Sequence, residues 1–588
     1  MALKELKLDP TAEKNIKTWL KGKYDAETKS KIQQLIDDKN STQLTDSFYK
    51  NLEFGTGGMR GEIGVGSNRM NQYTVGAATQ GLANYLNQAV QGEQIKVAIA
   101  YDSRNFSPEF AQVAANILSA NGIVVYLYKE LRPTPQLSFT VRHLGCHAGI
   151  VITASHNPRE YNGYKVYWND GSQVVPPHDK NIVKEVNAIT NVKDIKFKGV
   201  KKRIKFISDS VDKAYLKAVK SIAVNPRMIK RQADLKIVFS PIHGTGITMV
   251  PQALAQLGFN QVTIVEAQAT PDGNFPTVIY PNPEEKEAMT LALNKAKEID
   301  ADLVIATDPD ADRVGMAVKD PNGEWQLLNG NQAASLIIYY LLKAWKKAKK
   351  LTGNEFVAKT IVTTDLIDEM AAKAGVHCYN TLTGFKYIAQ VIRELEGKQQ
   401  FIGGGEESYG YLIGDKVRDK DAIASCAIIA ELTAFAKDAG LSLFDFLAEM
   451  YQKNGFYYEG LISLTMKGKS GAEEIQAMMA NFRANPPKSL AGSKVIRMDD
   501  YSALIKTNLT TGEVTHIEAG KMGIDSSNVL QFFTTDGTKF TCRPSGTEPK
   551  IKFYVGVRAK LKNKADFDAT LESLKAKVAS IGKELNLA

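Results

Sequence analysis

Short runs of apolar, often β-branched residues recur over about the first 450 positions of the chain. Each run precedes a loop rich in Gly, Pro, Asp or Ser. Because the runs are apolar at consecutive positions, they predict strands buried on both faces, as in parallel sheets. Amphipathic stretches between the runs predict helices, and the order is typical of repeated α/β units. The predicted strands are 95–101, 123–128, 148–153, 235–239, 262–265, 303–306, 360–363 and 401–402, and the predicted helices are 107–120, 250–257, 284–297, 333–346 and 423–436.

After about residue 450 the pattern changes to alternation of apolar and polar positions, which predicts an antiparallel sheet with one covered face. Segments 457–466 and 551–557 alternate in this way. Ser470 and Glu473 have the spacing of a capping box and predict that a helix over 472–482 begins there. A last amphipathic helix is predicted over 565–585. The tail is therefore expected to be a smaller α+β domain.

The length of 588 residues agrees with four domains at roughly 150 residues each. We place the boundaries so that the domains are 1–212, 213–325, 326–452 and 453–588.

The chain has 74 Lys and Arg against 64 Asp and Glu, a formal net charge of +10. Lysine is concentrated in 178–205 and 343–350. These stretches have no aromatic or glycine pattern of a nucleic-acid-binding module, so we interpret them as solvated surface and expect no nucleic-acid partner. A basic nucleic-acid binder is the alternative. A positive field also attracts small anionic substrates.

Signals for secretion and membrane insertion are absent from the sequence. The first ten residues have no apolar core of a signal peptide, and no apolar run approaches the ~20 residues that cross a bilayer. The four cysteines are scattered, without a CxxC pair. We therefore expect a cytoplasmic protein that does not bind membranes.

A polar loop follows the strand predicted at 148–153. Ser155 is followed at once by His156 and by an Asn-Pro pair that favours a turn, which suits an exposed nucleophile. A hydrogen-bonded Ser turn is an equal alternative. Lys165, ten residues further on, would pair with a phosphate or transfer a proton.

A second polar loop follows the strand predicted at 303–306. Asp308, Asp310 and Asp312 stand at alternate positions, and their carboxylates repel one another unless a cation joins them. A hard divalent ion with oxygen ligands is the natural partner, and a solvated acidic turn is the alternative. An EF-hand is excluded because Lys319 occupies the twelfth position of the loop.

Two further loops contain donors and acceptors suited to a sugar phosphate. Glu406 and Ser408 follow three glycines and would hydrogen-bond sugar hydroxyls, although a flexible surface turn explains them as well. Arg543, Ser545 and Thr547 surround Gly546 and form a donor cluster suited to a dianionic phosphate, with an ordinary turn as the alternative.

Two segments in the N-terminal part of the chain contain further candidate site residues. The stretch Phe-Gly-Thr-Gly-Gly-Met-Arg-Gly, which contains Arg60, lacks the Gly-Lys-Ser/Thr end of a phosphate-binding Walker loop. Arg104 follows the strand at 95–101, and we interpret it as structural.

Taken in this order, the motifs resemble those of the α-D-phosphohexomutase superfamily, the phosphoglucomutase/phosphomannomutase enzymes, over about 54–554. The motifs are Gly-Thr-Gly-Gly-Met-Arg-Gly, Thr-Ala-Ser-His-Asn-Pro, Asp-Pro-Asp-Ala-Asp-Arg, Gly-Glu-Glu-Ser-Tyr-Gly and Arg-Pro-Ser-Gly-Thr-Glu-Pro. Many phosphomannomutase-type members carry Gly-Glu-x-Ser-Gly-His and a Gly-His-Ser-Phe loop, and here Tyr409-Gly410 and Gly384-Phe385-Lys386 replace them. This favours the branch of the longer bacterial and animal type-two phosphoglucomutases. The resemblance implies three similar α/β domains, with mixed and mostly parallel sheets, and a C-terminal α+β domain around a central cleft.

The resemblance also implies roles for individual residues. Ser155 would be the phosphoserine, and Asp308, Asp310 and Asp312 would hold one Mg²⁺ per chain together with an oxygen on Ser155. The other catalytic residues would be Arg60 and Arg313 as cations near the transferring group, and His156 and Lys165 as acid–base candidates. The substrate-binding residues would be Lys386, Glu406, Ser408, Arg543, Ser545, Gly546 and Thr547.

The activity implied is interconversion of α-D-glucose 1-phosphate and D-glucose 6-phosphate, with glucose 1,6-bisphosphate as intermediate and activator. Within the superfamily, phosphopentomutase and phosphomannomutase activities are alternatives, and a non-catalytic phosphosugar-binding protein is an alternative of another class. The expected partner is a small sugar phosphate, and the protein is expected to be a monomer or a homodimer.

Overall fold

The structure is a computed structural model that describes residues 3, 6–55, 57–466, 468–545 and 550–587. The chain forms two compact units. Unit 1 comprises Met1–Ala223, Ala233–Met316 and Gly414–Ala430, and unit 2 comprises Val224–Gln232, Ala317–Ile413 and Glu431–Ala588.

Among the described residues up to 50, unit 1 has three α-helices that the sequence pattern did not predict: Pro10–Lys21, Ala26–Asp37 and Ser41–Phe48. They pack around their own apolar core, in which Trp19 contacts the edges of Phe48 and Tyr73.

The first sheet has six strands in the order β1-β5-β4-β2-β3-β6. Strands β4, β2, β3 and β6 are parallel, whereas β5 runs antiparallel to β4 and to β1. The strands are β1 (Gly58–Glu62), β2 (Lys96–Tyr101), β3 (Val124–Leu127), β4 (Ala148–Ile152), β5 (Tyr161–Trp168) and β6 (Ile204–Phe206). The α-helices along this part of the chain are Gln72–Ala89, Ser107–Ala120, Thr134–His143 and His178–Asn187, with 3-10 turns at Val192–Asp194 and Lys201–Arg203.

The second sheet has five strands in the order β11-β10-β9-β7-β8, with β8 and β9 parallel to β7. The strands are β7 (Lys236–Ser240), β8 (Gln261–Ile264), β9 (Leu303–Thr307), β10 (Val314–Lys319) and β11 (Trp325–Leu327). The helices along 209–299 are Asp209–Ser221, Pro226–Arg231, Gly246–Leu257, Glu266–Ala269 and Lys286–Ile299.

The third sheet has four strands in the order β13-β12-β14-β15. The strand predicted at 360–363 is wrong: the strand is 355–360, and the residues after it form a turn. The strands are β12 (Glu355–Thr360), β13 (His377–Thr381), β14 (Gln400–Gly405) and β15 (Tyr411–Ile413), and the helices are Gly330–Lys347, Leu366–Ala374, Phe385–Leu395, Ala422–Asp438 and Leu443–Asn454.

The fourth sheet is antiparallel, with eight strands, and this confirms the α+β tail. The predicted capping box is wrong, because the helix begins at Gly468 and Ser470 lies inside it. The strands are β16 (Phe456–Thr465), β17 (Ser489–Leu490), β18 (Ser493–Asp500), β19 (Ile505–Asn508), β20 (Val514–His516), β21 (Leu530–Thr534), β22 (Lys539–Pro544) and β23 (Lys550–Ala559), and the helices are Gly468–Ala484 and Phe567–Glu584, with a 3-10 turn at Lys564–Asp566.

Three α/β sheets followed by an antiparallel α+β domain confirm the predicted fold class. Among the described helices, none combines the length and the apolar character needed to cross a membrane.

Candidate active site

The loop after β4 brings Ser155 to the acidic loop after β9, within unit 1. Ser155 is buried and has a φ of 53°, in the left-handed region. Its Oγ donates to Asp308 Oδ2 at 2.8 Å and lies 3.2 Å from His156 Nδ1. The predicted nucleophile is therefore adjacent to the predicted metal-binding carboxylates.

Arg104 holds the backbone of this loop. Its guanidinium donates to the carbonyl oxygens of Ser155 at 2.6 Å, Pro158 at 2.8 Å and Tyr161 at 3.0 Å, and also to that of Asn157. Arg104 itself is buried, with its Nε 3.5 Å from Asp102 and its Cζ 5.0 Å from the centre of the Phe275 ring. These contacts confirm the structural interpretation of Arg104, and they fix the conformation in which Ser155 is presented.

Asp308, Asp310 and Asp312 are buried, and one carboxylate oxygen of each lies within 4.8 Å of the others. Asp308 Oδ1 accepts from the backbone N–H groups of Asp312 and Arg313. The Oδ1 atoms of Asp310 and Asp312 accept no hydrogen bond from the described residues. Buried carboxylate oxygens are costly without a partner, so this donor set fits a hard divalent cation. Burial, together with the charges of Asp310 and Asp312, raises the pKa of Asp308 well above its usual value.

Two lysines neutralise part of this charge. Lys165 Nζ on β5 lies 2.8 Å from Asp310 Oδ2 and 3.2 Å from Asp312 Oδ2, and Lys420 Nζ lies 3.0 Å from the same Asp312 oxygen. Burial alone would lower the pKa of Lys165, but the two carboxylates raise it above its ordinary value. Burial alone would likewise raise the pKa of Asp312, but Lys165, Lys420 and Arg313 hold it below its ordinary range. Lys165 is therefore held as an ammonium.

His156 is held in the neutral form. Its burial, followed by the charges of Arg313 and Arg60, lowers its pKa to about 2. Beside Ser155 Oγ, a neutral imidazole provides one acceptor and one donor nitrogen.

Arg60 and Arg313 lie near the loop that contains Ser155, and each guanidinium group donates a hydrogen bond to a neighbouring side chain. Arg60 Nη1 donates to Asn157 Oδ1 at 3.0 Å, and Arg313 Nη1 donates to Glu284 Oε1 at 2.7 Å. Both are close enough to His156 to lower its pKa, which places positive charge on this side of Ser155.

Sequence reasoning missed Lys420 and the residues that hold it. Asp419 Oδ1 lies 3.1 Å from Lys420 Nζ, and Asp419 Oδ2 accepts from the Tyr167 hydroxyl at 2.7 Å. The available signal was the charged run Asp-Lys-Val-Arg-Asp-Lys-Asp at 415–421, directly before the helix Ala422–Asp438. That helix is apolar almost all round, and such a helix is buried. Charges at its start are then buried as well and need partners.

The predicted sugar-binding residues lie in unit 2. Glu406 follows β14, is buried, and accepts from the Gly384 N–H at 3.0 Å through Oε1. Its neighbour Glu407 accepts from the hydroxyls of Thr360 and Thr363, both at 3.2 Å. Ser408 is half-buried. Each carboxylate of this loop thus accepts at least one hydrogen bond from a neutral donor.

Arg543 lies on β22 of the same unit and hydrogen-bonds Tyr554. Burial and the charge of Glu407 raise the pKa of Tyr554 to about 12, against the opposing effect of Arg543. Ser545 N–H donates to Lys550 O at 2.7 Å. Two predicted ligands, Gly546 and Thr547, lie outside the described residues. Lys386 Nζ is 5.2 Å from the centre of the Tyr387 ring.

Family models for the phosphoglucomutase/phosphomannomutase alpha/beta/alpha domains match three parts of the chain. Domain I matches residues 51–193, domain II 213–323 and domain III 329–454.

Curated relatives match over nearly the whole length. A phosphoglucomutase of Staphylococcus haemolyticus is 37% identical over 543 residues, covering 92% of this chain and 95% of the relative. A phosphoglucomutase of Staphylococcus aureus strain MRSA252 is 36% identical over 566 residues, covering 96% and 98%.

Solved structures share the fold at low identity. Parafusin of Paramecium, described as a phosphoglucomutase, superposes with a TM-score of 0.67 at 18% identity, covering 91% of this chain and 96% of that chain. A phosphoglucomutase/phosphomannomutase family protein of Burkholderia thailandensis superposes with a TM-score of 0.62 at 18% identity, covering 91% of this chain and 97% of that chain.

The serine beside three buried carboxylates, the three matched domains and the relatives of similar length agree with one another. The chain belongs to the phosphoglucomutase/phosphomannomutase family.

Proposed function

We propose that the protein is an intramolecular phosphotransferase that interconverts α-D-glucose 1-phosphate and D-glucose 6-phosphate. Ser155 holds the phosphoryl group between turnovers, and glucose 1,6-bisphosphate is the intermediate and activator. The observation that supports this most is the contact of Ser155 Oγ with Asp308, beside carboxylate oxygens that accept from no donor among the described residues. Full-length relatives at 36–37% identity, each named phosphoglucomutase, support glucose as the sugar.

Asp308, Asp310 and Asp312, with an oxygen on Ser155, would hold one Mg²⁺ per chain. When bound, the ion supplies Lewis-acid neutralisation of charge at the phosphoryl group. Lys165 and Lys420 keep the remaining charge of the carboxylates balanced.

In the forward reaction, the 6-hydroxyl of glucose 1-phosphate attacks the phosphorus on Ser155. The new O6–P bond forms as the bond to Ser155 Oγ breaks, and the hydroxyl loses its proton. His156 is the acid–base candidate that the geometry favours, because it is unprotonated and near Oγ, whereas Lys165 is already an ammonium. The dianionic phosphoserine would raise the basicity of His156. Arg60 and Arg313 would stabilise the transferring group.

The sugar is held by residues of unit 2. Glu406 and Ser408 would accept from and donate to its hydroxyls, and Lys386 would contact the ligand from the preceding loop. Arg543, Ser545, Gly546 and Thr547 would bind the phosphate that is not transferred. The bisphosphate then reorients, and Ser155 takes back the other phosphoryl group.

The substrate is a freely diffusing sugar phosphate, and the proposal needs neither nucleic acid nor membrane. We place the enzyme in the cytoplasm, as a monomer or homodimer; the four unpaired cysteines agree with a reducing compartment.

The test is mass spectrometry of the purified protein together with turnover of the Ser155→Ala variant. We expect phosphate on Ser155, and loss of mutase turnover in the variant. Undiminished turnover in Ser155→Ala would refute the mechanism. Values of kcat/KM for glucose, mannose and ribose 1-phosphates, each with its bisphosphate, test the substrate; a higher value for mannose or ribose would establish a phosphomannomutase or phosphopentomutase.

A further inference from the structure

The turn that follows β13, residues 382–386, is here called the sugar turn. Its Gly384 has a φ of 120° and donates its N–H to Glu406, and Lys386 follows two residues later. A turn with this backbone is held in one conformation only if its flanks are fixed. The contacts that fix them come from the C-terminal domain.

Residues 517–526, here called the buttress loop, connect β20 to β21. The Leu382 N–H, at the start of the sugar turn, donates to Gly523 O at 3.0 Å. The Met522 N–H donates to Glu394 Oε2 at 2.9 Å, on the helix that follows the turn. The buttress loop therefore contacts the chain on both sides of the sugar turn.

Gly523 allows this close approach. Its φ is +72°, and a Cβ added there would lie 2.7 Å from Thr381 Cγ2 and 2.8 Å from Tyr387 O. Real Cβ atoms are not found at such distances from backbone oxygens. A side chain at 523 would displace either the buttress loop or the sugar turn.

The buttress loop is also anchored by apolar packing. Ile517 and Ile524 pack on a cluster of buried residues that includes Leu382 and Val529. The strand that follows the loop, β21, pairs with β22, on which Arg543 lies. The same sheet thus supports the sugar turn and supplies the proposed phosphate ligand.

We propose that the buttress loop is a positioning element for sugar recognition: by holding the sugar turn, Gly523 keeps Gly384 and Glu406 in the geometry that binds sugar hydroxyls. The inference rests on the proposed function for the identity of the ligand. It assigns to the C-terminal domain a role in sugar binding, in addition to phosphate binding.

The test compares Gly523→Ala with Gly512→Ala. Gly512 belongs to the same domain, has a φ of +77° and has open space where a Cβ would be added. Both variants therefore incur a similar backbone cost, but only Gly523→Ala disturbs the sugar turn. We expect Gly523→Ala to raise KM for glucose 1-phosphate about tenfold with kcat much less affected, and Gly512→Ala to change neither.

Hydrogen–deuterium exchange provides a readout that needs no turnover. Amides of 381–387 should exchange faster in Gly523→Ala than in wild type, while those around Ser155 should not change. If the wild type converts no sugar phosphate, the proposed function fails, and the exchange result still decides the present proposal. Unchanged exchange at 381–387 overturns it, and faster exchange with an unchanged KM overturns the link to sugar binding.

Should Gly523→Ala fail to fold, Glu394→Ala removes the acceptor of Met522 without backbone strain. It should produce the same two effects, each smaller than in Gly523→Ala: faster amide exchange at 381–387 and a higher KM. A variant with wild-type exchange and wild-type KM would contradict the proposal.

Discussion

Both sets of predicted site residues contain buried carboxylates, but these carboxylates contact different neighbours. Around Ser155 in unit 1, buried carboxylates are paired with buried ammonium groups, as in the contacts of Asp312 with Lys165 and Lys420. Around Glu406 in unit 2, a backbone N–H donates to Glu406 and two hydroxyls donate to Glu407.

The difference matches what each region is proposed to bind. A transferring phosphoryl group and a divalent cation are highly charged, so the groups around them need a balanced charge before the ligand arrives. Sugar hydroxyls are neutral, and a carboxylate can bind them as a hydrogen-bond acceptor. Changes of charge in unit 1 should therefore alter kcat, and changes in unit 2 should alter KM.

The largest effect is expected from removing charge in unit 1. Asp310→Asn removes a proposed metal ligand and one of the two carboxylates that balance the charge of Lys165. We therefore expect kcat to fall by about 10³-fold. Calorimetric titration with Mg²⁺ should show weakened binding. Asp37→Asn, at an exposed position, is the control and should leave kcat and Mg²⁺ binding unchanged. A wild-type kcat in Asp310→Asn would contradict the expectation that changes of charge in unit 1 alter kcat.

The geometry of unit 1 is tested by Arg104→Lys. A lysine keeps the charge but cannot donate to four carbonyl oxygens at once, so the loop that presents Ser155 should lose its fixed conformation. A displacement of about 1 Å costs roughly a hundredfold in rate; we expect kcat to fall to that extent, with KM little changed. The control is Arg132→Lys, because Arg132 pairs with Asp212 within the same unit. Equal losses in both variants would mean that Arg104 acts only through stability.

The sequence predicted the fold class from apolar runs, and it failed where a buried strand contains charge. β12 has the sequence Glu-Phe-Val-Ala-Lys-Thr and is buried throughout. Lys359 is paired with Asp368 at 3.0 Å and Glu355 accepts from the Thr352 N–H and hydroxyl. Because the apolar pattern does not show these pairings, it predicted the strand at 360–363 instead of 355–360.

The same limit applies to the site. The residues at strand ends, such as Ser155 and Asp308, could be predicted because ligands of open α/β sheets bind beyond the carboxyl ends of the strands. Lys420 was not predicted, because its place before a buried helix shows only that its charge needs a partner, and not that the partner is Asp312. Arg104 was visible in the sequence, but its four carbonyl partners were not.

In unit 2, replacing charge should change binding more than rate. Glu406→Gln keeps an acceptor for the Gly384 N–H but weakens the bonds to sugar hydroxyls. Because a hydrogen bond to a charged group contributes about 1.5–3 kcal/mol, KM for glucose 1-phosphate should rise at least about tenfold. The phosphate content of Ser155, measured by mass spectrometry, should not change. Glu474→Gln, at an exposed helix position, is the control. A loss in kcat with an unchanged KM would reverse the assignment of roles to the two units.

The smallest effect concerns Asp421, a buried carboxyl of unit 1. It accepts from the Ala424 N–H and the Tyr215 hydroxyl, both at 2.9 Å. Burial raises the pKa of Asp421 from its ordinary value to about 6, and the two hydrogen bonds only partly oppose this. The folded protein therefore binds a proton here that the unfolded chain has already lost, so stability is lost as pH rises through about 6.

Asp421→Asn cannot titrate, so the difference in unfolding free energy between wild type and variant isolates this group. From pH 5 to pH 8 the wild type should lose about 1.4 kcal/mol relative to the variant, which corresponds to about one pKa unit. Thermal unfolding of both proteins across this range measures the difference. If the difference in unfolding free energy stays constant over this range, Asp421 has a charged partner, as Asp312 has.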